Sequence, residues 1–287
     1  MRILNLDGRL SLAVGDGAAD VERASAGRFG ADVMAIYPRW AEFLEWARSY
    51  TGPADQAVDE SRLGPPVPRP AQIFAIGVNY RDHAAEAGID LPERPMVFTK
   101  FPAAVTGPYT DIELPSTNVD FEVELVAVIG RRARHVDPAD GWSYVAGLTA
   151  GQDLSDRGVQ LAGPPPQQYN MGKSFEGFAP IGPALVTPDE FDDPDDIELG
   201  CRLSGTQMQK GRTRDFVFSI PQLVAYLSGV LPLLPGDLIF TGTPSGVGWV
   251  RDPRRTIAAG EELVTHIAGI GEMRHRFAAR EAVTAGA

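Results

Sequence analysis

The chain has a single cysteine, Cys201, among 287 residues. That excludes an internal disulfide, a Cys-rich zinc site and a dithiol redox centre, and it points to a reducing compartment. Positive charge is also short: 26 Lys and Arg stand against 38 Asp and Glu, a net charge of −12. Such a surface repels nucleic acid and anionic membrane at long range, so a small anionic ligand has to be met by local cations. No apolar run reaches the ~18 residues of a membrane span. The opening Met1-Arg2-Ile3-Leu4-Asn5-Leu6-Asp7 has no continuous apolar core of the signal-peptide kind. The expectation is a soluble cytoplasmic protein with no nucleic-acid or membrane partner. Nucleotide motifs are missing too. Thr241-Gly242-Thr243-Pro244-Ser245-Gly246-Val247-Gly248 lacks the lysine of a phosphate-binding loop, and no Gly-x-Gly-x-x-Gly opens a helix.

Hydrophobic residues make up 44% of the chain, enough for one domain of ordinary size with a small appendage. Leu63-Gly64-Pro65-Pro66-Val67-Pro68-Arg69-Pro70 cannot continue a helix or a sheet, because its prolines lack amide donors. A boundary is placed there, with residues 1–70 as a small N-terminal domain and linker and 71–287 as the main domain. The first part has a helix-like segment from Pro38 to Tyr50 carrying Trp40, Phe43, Leu44 and Trp46.

The second part is written mostly in short β-branched or apolar runs broken by Gly and Pro: Ile73 to Val78, Val119 to Ile129, Pro183 to Val186, Asp237 to Thr241 and Glu262 to Ile267. Helices are few, the clearest being Asp82 to Gly88 and Ile220 to Ser228. The pattern predicts an α+β fold that is mainly β, not alternating βαβ units. The acidic tract Asp189 to Asp196 reads as a surface loop and the Ala/Gly-rich C-terminal end as frayed.

In Asp120-Phe121-Glu122-Val123-Glu124-Leu125, polar and apolar residues alternate at the entrance to a buried run. Side chains alternate across a strand, so Glu122 and Glu124 share a face with backbones ~6.6 Å apart. They can converge on one cation, although the same spacing also fits a solvated face. Asp153, or its neighbour Asp156, can add a third carboxylate, and oxygen-only donors suit Mg²⁺ or Mn²⁺ better than zinc. His83 and Glu86 lie one helical turn apart, so the carboxylate can orient the imidazole as a base toward water. Lys173 sits among Gly and aromatics in Gly172-Lys173-Ser174-Phe175, where a partly buried ammonium can stabilise charge developing next to a carbonyl. Arg157 and Gln160 offer further donors. The amides of Thr241 to Gly248 can cradle a carboxylate or form a plain tight turn. His135, His266 and His275 read as structural or surface residues.

Together these segments resemble the fumarylacetoacetate hydrolase family over roughly Gln72 to Phe277. The likeness is to its short bacterial-type members, acylpyruvase-like and 2-hydroxyhepta-2,4-diene-1,7-dioate isomerase-like. It rests on Gly77-Val78-Asn79-Tyr80 with His83 and Glu86, Asp120 to Leu125, Gln152-Asp153-Leu154-Ser155 with Arg157 and Gln160, Gly172 to Phe175, and Pro235-Gly236-Asp237 leading into Thr241 to Pro244.

The resemblance implies a mixed β-sandwich roll, a homodimer, and Mg²⁺ or Mn²⁺ held by Glu122, Glu124 and Asp153. It makes His83 and Glu86 a water-activating pair on a segment that closes over substrate, with Lys173 catalytic and Arg157, Gln160 and Thr243 binding substrate. The implied reaction is hydrolysis of a C–C bond in an acylpyruvate-like 2,4-dioxo acid. That acid chelates the metal, and cleavage passes through an enolate. Loss of carbon dioxide from an oxaloacetate-like acid, keto–enol isomerisation, and a non-catalytic metal- or ligand-binding protein stay open beside it. The chain departs from the family at Gln152, where Asn is common, at Gly158, where Asp is frequent, and at Pro164-Pro165-Pro166 before Tyr169, where Trp is common.

Overall fold

The computed structural model describes residues 1–165 and 167–280. Pro166 and the C-terminal end read above as frayed lie outside the described residues. The architecture is a large mixed sheet of twelve strands packed with a five-stranded sheet, the β-rich α+β arrangement expected.

The large sheet is organised around Val123–Ile129, buried at every position. This strand lies between antiparallel Val145–Gln152 and Leu238–Phe240. With neighbours on both edges and protein on both faces, such a strand reads as a continuous apolar run instead of an alternating one. Leu238–Phe240 in turn pairs parallel with Ile73–Gly77, which carries Met96–Thr99 at the sheet edge. On the other side Ala179–Val186 joins Val145–Gln152 to the N-terminal strand Arg2–Leu6. Residues 1–70 thus contribute strands to this same sheet. They also supply an aromatic cluster in which Phe43 contacts Phe29, Trp40 and Trp46 at centroid distances of 5.5–5.8 Å.

The five-stranded sheet orders Thr206–Arg212, Glu198–Leu203, Glu262–Ile267, Gly271–Ala279 and Ile112–Leu114. Helix Ile220–Val230 starts with a reciprocal cap between Ser219 and Gln222. Helix Arg81–Ala87 ends at Gly88 in the left-handed region, φ +65°, where a Cβ is disfavoured. No helix among the described residues is long and apolar enough to cross a membrane. The acidic tract is a surface loop, as expected, and it is tied to its surroundings: Asp189 pairs with Arg48, Asp196 with Arg212, and Asp195 accepts from the Trp142 indole.

One sequence expectation needs correction. The run from Val119 to Ile129 is not one strand. Val119–Asp120 pairs with Ser155–Asp156 as a separate ribbon, and the main strand begins at Val123. Phe121 and Glu122 form the break. The backbone N–H groups at this break donate to glutamine side chains: Glu122 to Gln152 Oε1 at 3.0 Å and Val123 to Gln209 Oε1 at 2.9 Å. A buried amide left without an acceptor would cost about 1–3 kcal/mol, so these two glutamines make the break possible.

Candidate metal centre and active site

Glu122 at the break, Glu124 one position into the strand and Asp153 just past the end of Val145–Gln152 come together. A carboxylate oxygen from each lies within 4.8 Å of the others, and all three residues are buried. The solvated-face alternative for the glutamates is thereby removed. Asp153 owes its place to the same break, since its N–H donates to the Glu122 carbonyl at 2.9 Å. Asp156 lies elsewhere, accepting from Ser116 and capping the short helix Arg157–Gln160.

Buried cations interleave these carboxylates. Lys173 Nζ bridges Glu122 Oε2 at 2.9 Å and Asp153. Lys100, fully buried, pairs with the other oxygen of Asp153 and donates to the Lys173 carbonyl. Arg157 donates to Asp120 Oδ2 at 2.7 Å, Glu122 Oε1 at 2.6 Å and Gln160 Oε1 at 2.8 Å, so its guanidinium is largely committed within the protein. Lys173 follows the short helix Tyr169–Gly172, which packs closely on Gln160. A Cβ at Gly172 would sit 2.6 Å from the Gln160 backbone nitrogen, which explains the glycine beside the lysine.

The proton affinities follow from this arrangement. Burial alone would raise Glu122, but Lys173 and Arg157 outweigh it and hold the group below the usual carboxylate range. Burial, with the charges of Asp153 and Glu122 added, pushes Glu124 well above its ordinary value. Burial opposes the charge on Lys173, yet Asp153 and Glu122 prevail and raise it. Lys100 is lowered, burial and the nearby Lys173 charge outweighing Asp153.

With every group written as charged, the four carboxylates of this site among the described residues, Asp120, Glu122, Glu124 and Asp153, stand against three buried cations, Lys100, Arg157 and Lys173, a formal excess of one negative charge. That excess falls on Glu124, to which one backbone amide, Gly242 N–H, donates at 2.7 Å. A hard divalent cation fits this donor set: three carboxylates, no sulfur or imidazole donor, and one uncompensated charge.

The loop after Leu238–Phe240 does cradle carboxylates, but they are the protein's own. Gly242 serves Glu124, Gly246 N–H serves Glu86 at 2.8 Å, and Gly248 and Trp249 N–H serve Asp120 at 2.8 and 3.1 Å. Gly242 has φ +98°, and a Cβ there would stand 2.7 Å from that of Asn79. Thr243 donates to the Val123 carbonyl and accepts from Gln209, both at 2.8 Å.

Above this floor lies helix Arg81–Ala87. His83 Nδ1 meets Glu86 Oε1 at 2.8 Å as the spacing predicts, with 15% and 22% of the two side chains exposed. The helix is tied to the loop twice, through Glu86 to Gly246 N–H and through Asp82 to Ser245 Oγ at 2.7 Å. A cavity of about 170 Å³ is lined at its inner end by His83, Glu122, Arg157, Gln160, Lys173 and Thr243. Glu124, Asp153 and Glu86 do not line it but adjoin residues that do, namely Glu122, Lys173 and His83. His275 is buried with Nε2 donating to the Gly107 carbonyl at 3.0 Å, a structural position as expected.

The sequence reading missed Lys100 and Gln209, and it quoted Asp120 and Gln152 within motifs without giving either a role. For Lys100 a signal existed. The chain contains three lysines, Lys100, Lys173 and Lys210, among its 26 basic residues, and two of the three are buried at this site.

The domain model described as fumarylacetoacetate (FAA) hydrolase C-terminal matches residues 72–278. Oxaloacetate tautomerase FAHD2A, mitochondrial, of Bos taurus is 41% identical over 208 residues, 72% of this chain. The match spans 66% of that relative's length. A protein of Mycobacterium smegmatis designated HpcE has a crystal structure covering 98% of this chain and 100% of its own, at 50% identity and TM-score 0.93. The maleylpyruvate hydrolase of Sphingobium sp. SYK-6, solved with manganese(II) and pyruvate, covers 98% and 100% at 27% identity and TM-score 0.81. The chain, with its FAH fold and buried acidic triad, belongs to the fumarylacetoacetate hydrolase family of enzymes.

Proposed function

We propose that this protein is a Mg²⁺- or Mn²⁺-dependent hydrolase that cleaves a C–C bond in acylpyruvate-like 2,4-dioxo acids. The observation that carries the reading is the meeting, at one small cavity, of an oriented imidazole, a buried ammonium and Glu122, which belongs to a buried acidic triad with Glu124 and Asp153. A divalent cation held by Glu122, Glu124 and Asp153 would supply Lewis-acid polarisation of the substrate's 2-oxo acid group.

His83, oriented by Glu86, takes a proton from water as the water oxygen adds to the distal carbonyl. The bond between the distal carbonyl carbon and the adjacent methylene carbon then breaks. Its electron pair moves toward the 2-oxo group, and Lys173 shares the negative charge that develops on that oxygen. Protonation of the methylene carbon completes pyruvate, and the acyl fragment leaves as a carboxylic acid. Gln160 and Thr243, at the inner end of the cavity, orient the substrate oxygens, and Arg157 holds Glu122 in place.

The tautomerase relative favours a second reading, in which the same groups move one proton of oxaloacetate between carbon and oxygen with no water added. Metal-stripped protein, given acylpyruvates or oxaloacetate with and without Mg²⁺ or Mn²⁺, separates the two by product mass. Pyruvate plus a second acid supports hydrolysis, pyruvate plus carbon dioxide a decarboxylase, and unchanged mass with a changed ultraviolet spectrum a tautomerase. Silence across the panel with intact metal binding would leave a non-catalytic binding protein. A homodimer in the cytoplasm completes the proposal, and light scattering that returns a monomer would remove the first part.

A further inference from the structure

The cavity has two chemically different ends. The inner end holds the charged groups described above. The outer end is apolar: Ile89, Met96, Phe98, Tyr169, Trp249 and Val250 line it. Three of these are large hydrophobics facing solvent, with exposures of 52% for Ile89, 40% for Met96 and 41% for Val250. They come from three separate segments, so the apolar mouth is assembled by the fold and is not the face of one amphipathic element. Phe98 links the two ends, with Lys173 Nζ 5.1 Å from its ring centroid on one side and the Tyr169 ring at 5.9 Å.

Cations decide what this mouth accepts. Among the described lining residues the guanidinium or ammonium groups are Arg157 and Lys173, and both are already paired with Asp120, Glu122 or Asp153. Arg254 lies against Trp249, 3.9 Å from its ring centroid, but it is exposed and outside the lining. A second carboxylate on the distal part of a substrate would lie against apolar walls in a protein of net charge −12, with no charge partner and part of its hydration lost. An alkyl chain or a single aromatic ring would instead cover surface that water now touches. The cavity of about 170 Å³ is shared by the two ends, and the outer one opens to solvent between Ile89, Met96 and Val250, so a substituent longer than the enclosed space can extend along these walls.

We infer that the outer end of this cavity is a binding subsite for an uncharged apolar substituent. The preferred ligands are 2-oxo acids whose distal end is a short alkyl or single-ring aryl group, not dicarboxylates. The inference rests on the proposed 2-oxo acid chemistry for its inner end and adds the identity of the outer one. It sets this chain apart from an enzyme built for oxaloacetate, whose two carboxylates leave no apolar part to fill the mouth.

Binding and turnover test the two layers separately. Simple 2-oxo acids lack the 4-carbonyl and cannot be hydrolysed. Titration of Mn²⁺-loaded protein with 2-oxooctanoate and with 2-oxosuberate, followed by calorimetry, therefore reads the subsite independently of catalysis. We expect 2-oxooctanoate to bind at least tenfold tighter, and Ile89→Lys, at an exposed position, to cut that ratio by at least fivefold. Equal affinities, tighter binding of the diacid, no binding of either, or an Ile89→Lys protein with an unchanged ratio would each overturn the subsite. Failure to cleave any 2,4-dioxo acid while the tenfold ratio holds would overturn the hydrolase reading and leave the subsite standing.

Discussion

The floor and the roof of the cavity are built on opposite principles. In the floor, Lys100 and Asp153 have no exposed side-chain surface, and each carboxylate is fixed by a lysine, an arginine or a backbone amide. In the roof, His83 and Glu86 sit on a seven-residue helix, partly exposed and tied down by Asp82–Ser245 and Glu86–Gly246. The difference teaches a division of labour. Groups that hold charge need a rigid low-dielectric seat, whereas a group that exchanges protons with water and admits a ligand has to lie where few contacts must break for it to move.

The sharpest way to break this comparison is at Glu122. Glu122→Gln keeps the shape but removes a carboxylate from the triad, and metal-dependent turnover should fall to background. Turnover near wild type at saturating Mn²⁺ would show that the triad does not carry the chemistry. The roof gives the next largest effect: His83→Ala should slow hydrolysis by ~10²- to 10⁴-fold. It should leave stability within ~0.5 kcal/mol of wild type, since the side chain is surface-exposed in part. A large loss of stability there would mean that roof and floor are one cooperative unit.

Lys100→Met tests the floor from beneath. It strands one oxygen of Asp153 in the interior and should cost about 3 kcal/mol in urea unfolding, because removing one partner of a buried pair leaves a charge uncompensated. The same reasoning applies to Asp153. Its removal would leave Lys100 buried without its carboxylate, so Asp153→Ala should lose stability as well as activity.

The smallest effect concerns a buried ionisable group belonging to neither region. His275 is pulled down to about 4 by burial, and its Nδ1 has no hydrogen-bond partner among the described residues. The unfolded chain takes up this proton near pH 6.5 and the folded protein only near 4. Stability should therefore be intact above pH 6.5 and fall by about 2–3 kcal/mol as pH drops from 7 to 4. His275→Gln should flatten that part of the pH profile. An unchanged slope in the variant would move the acid sensitivity to another group, with the carboxylate cluster the first to examine.

What the sequence disclosed was whatever depends on near neighbours. Glu122 and Glu124 are two residues apart, His83 and Glu86 three, and the buried strand announces itself by five consecutive apolar residues from Leu125 to Ile129. What it concealed depends on pairings across the fold. Lys100 meets Asp153 from 53 positions away, and nothing in Thr99 or Phe101 signals it. The break at Phe121–Glu122 reads as continuous alternation because the glutamines that satisfy its amides lie 30 and 86 residues downstream. In the loop from Thr241 to Gly248 the sequence reveals donors but not their recipients. A cradle for substrate and a cradle for Glu124, Glu86 and Asp120 look alike in one dimension.

The scarcity of lysine has a practical consequence. Lys100 and Lys173 show 0% and 3% of their side chains to solvent, whereas Lys210 shows 66%. To a reagent that acylates side-chain amines, the folded protein is a single-site substrate. A dye or a surface tether would go to Lys210, on the edge strand Thr206–Arg212 of the five-stranded sheet. A label found over time on Lys100 or Lys173 would report how often the buried site comes open.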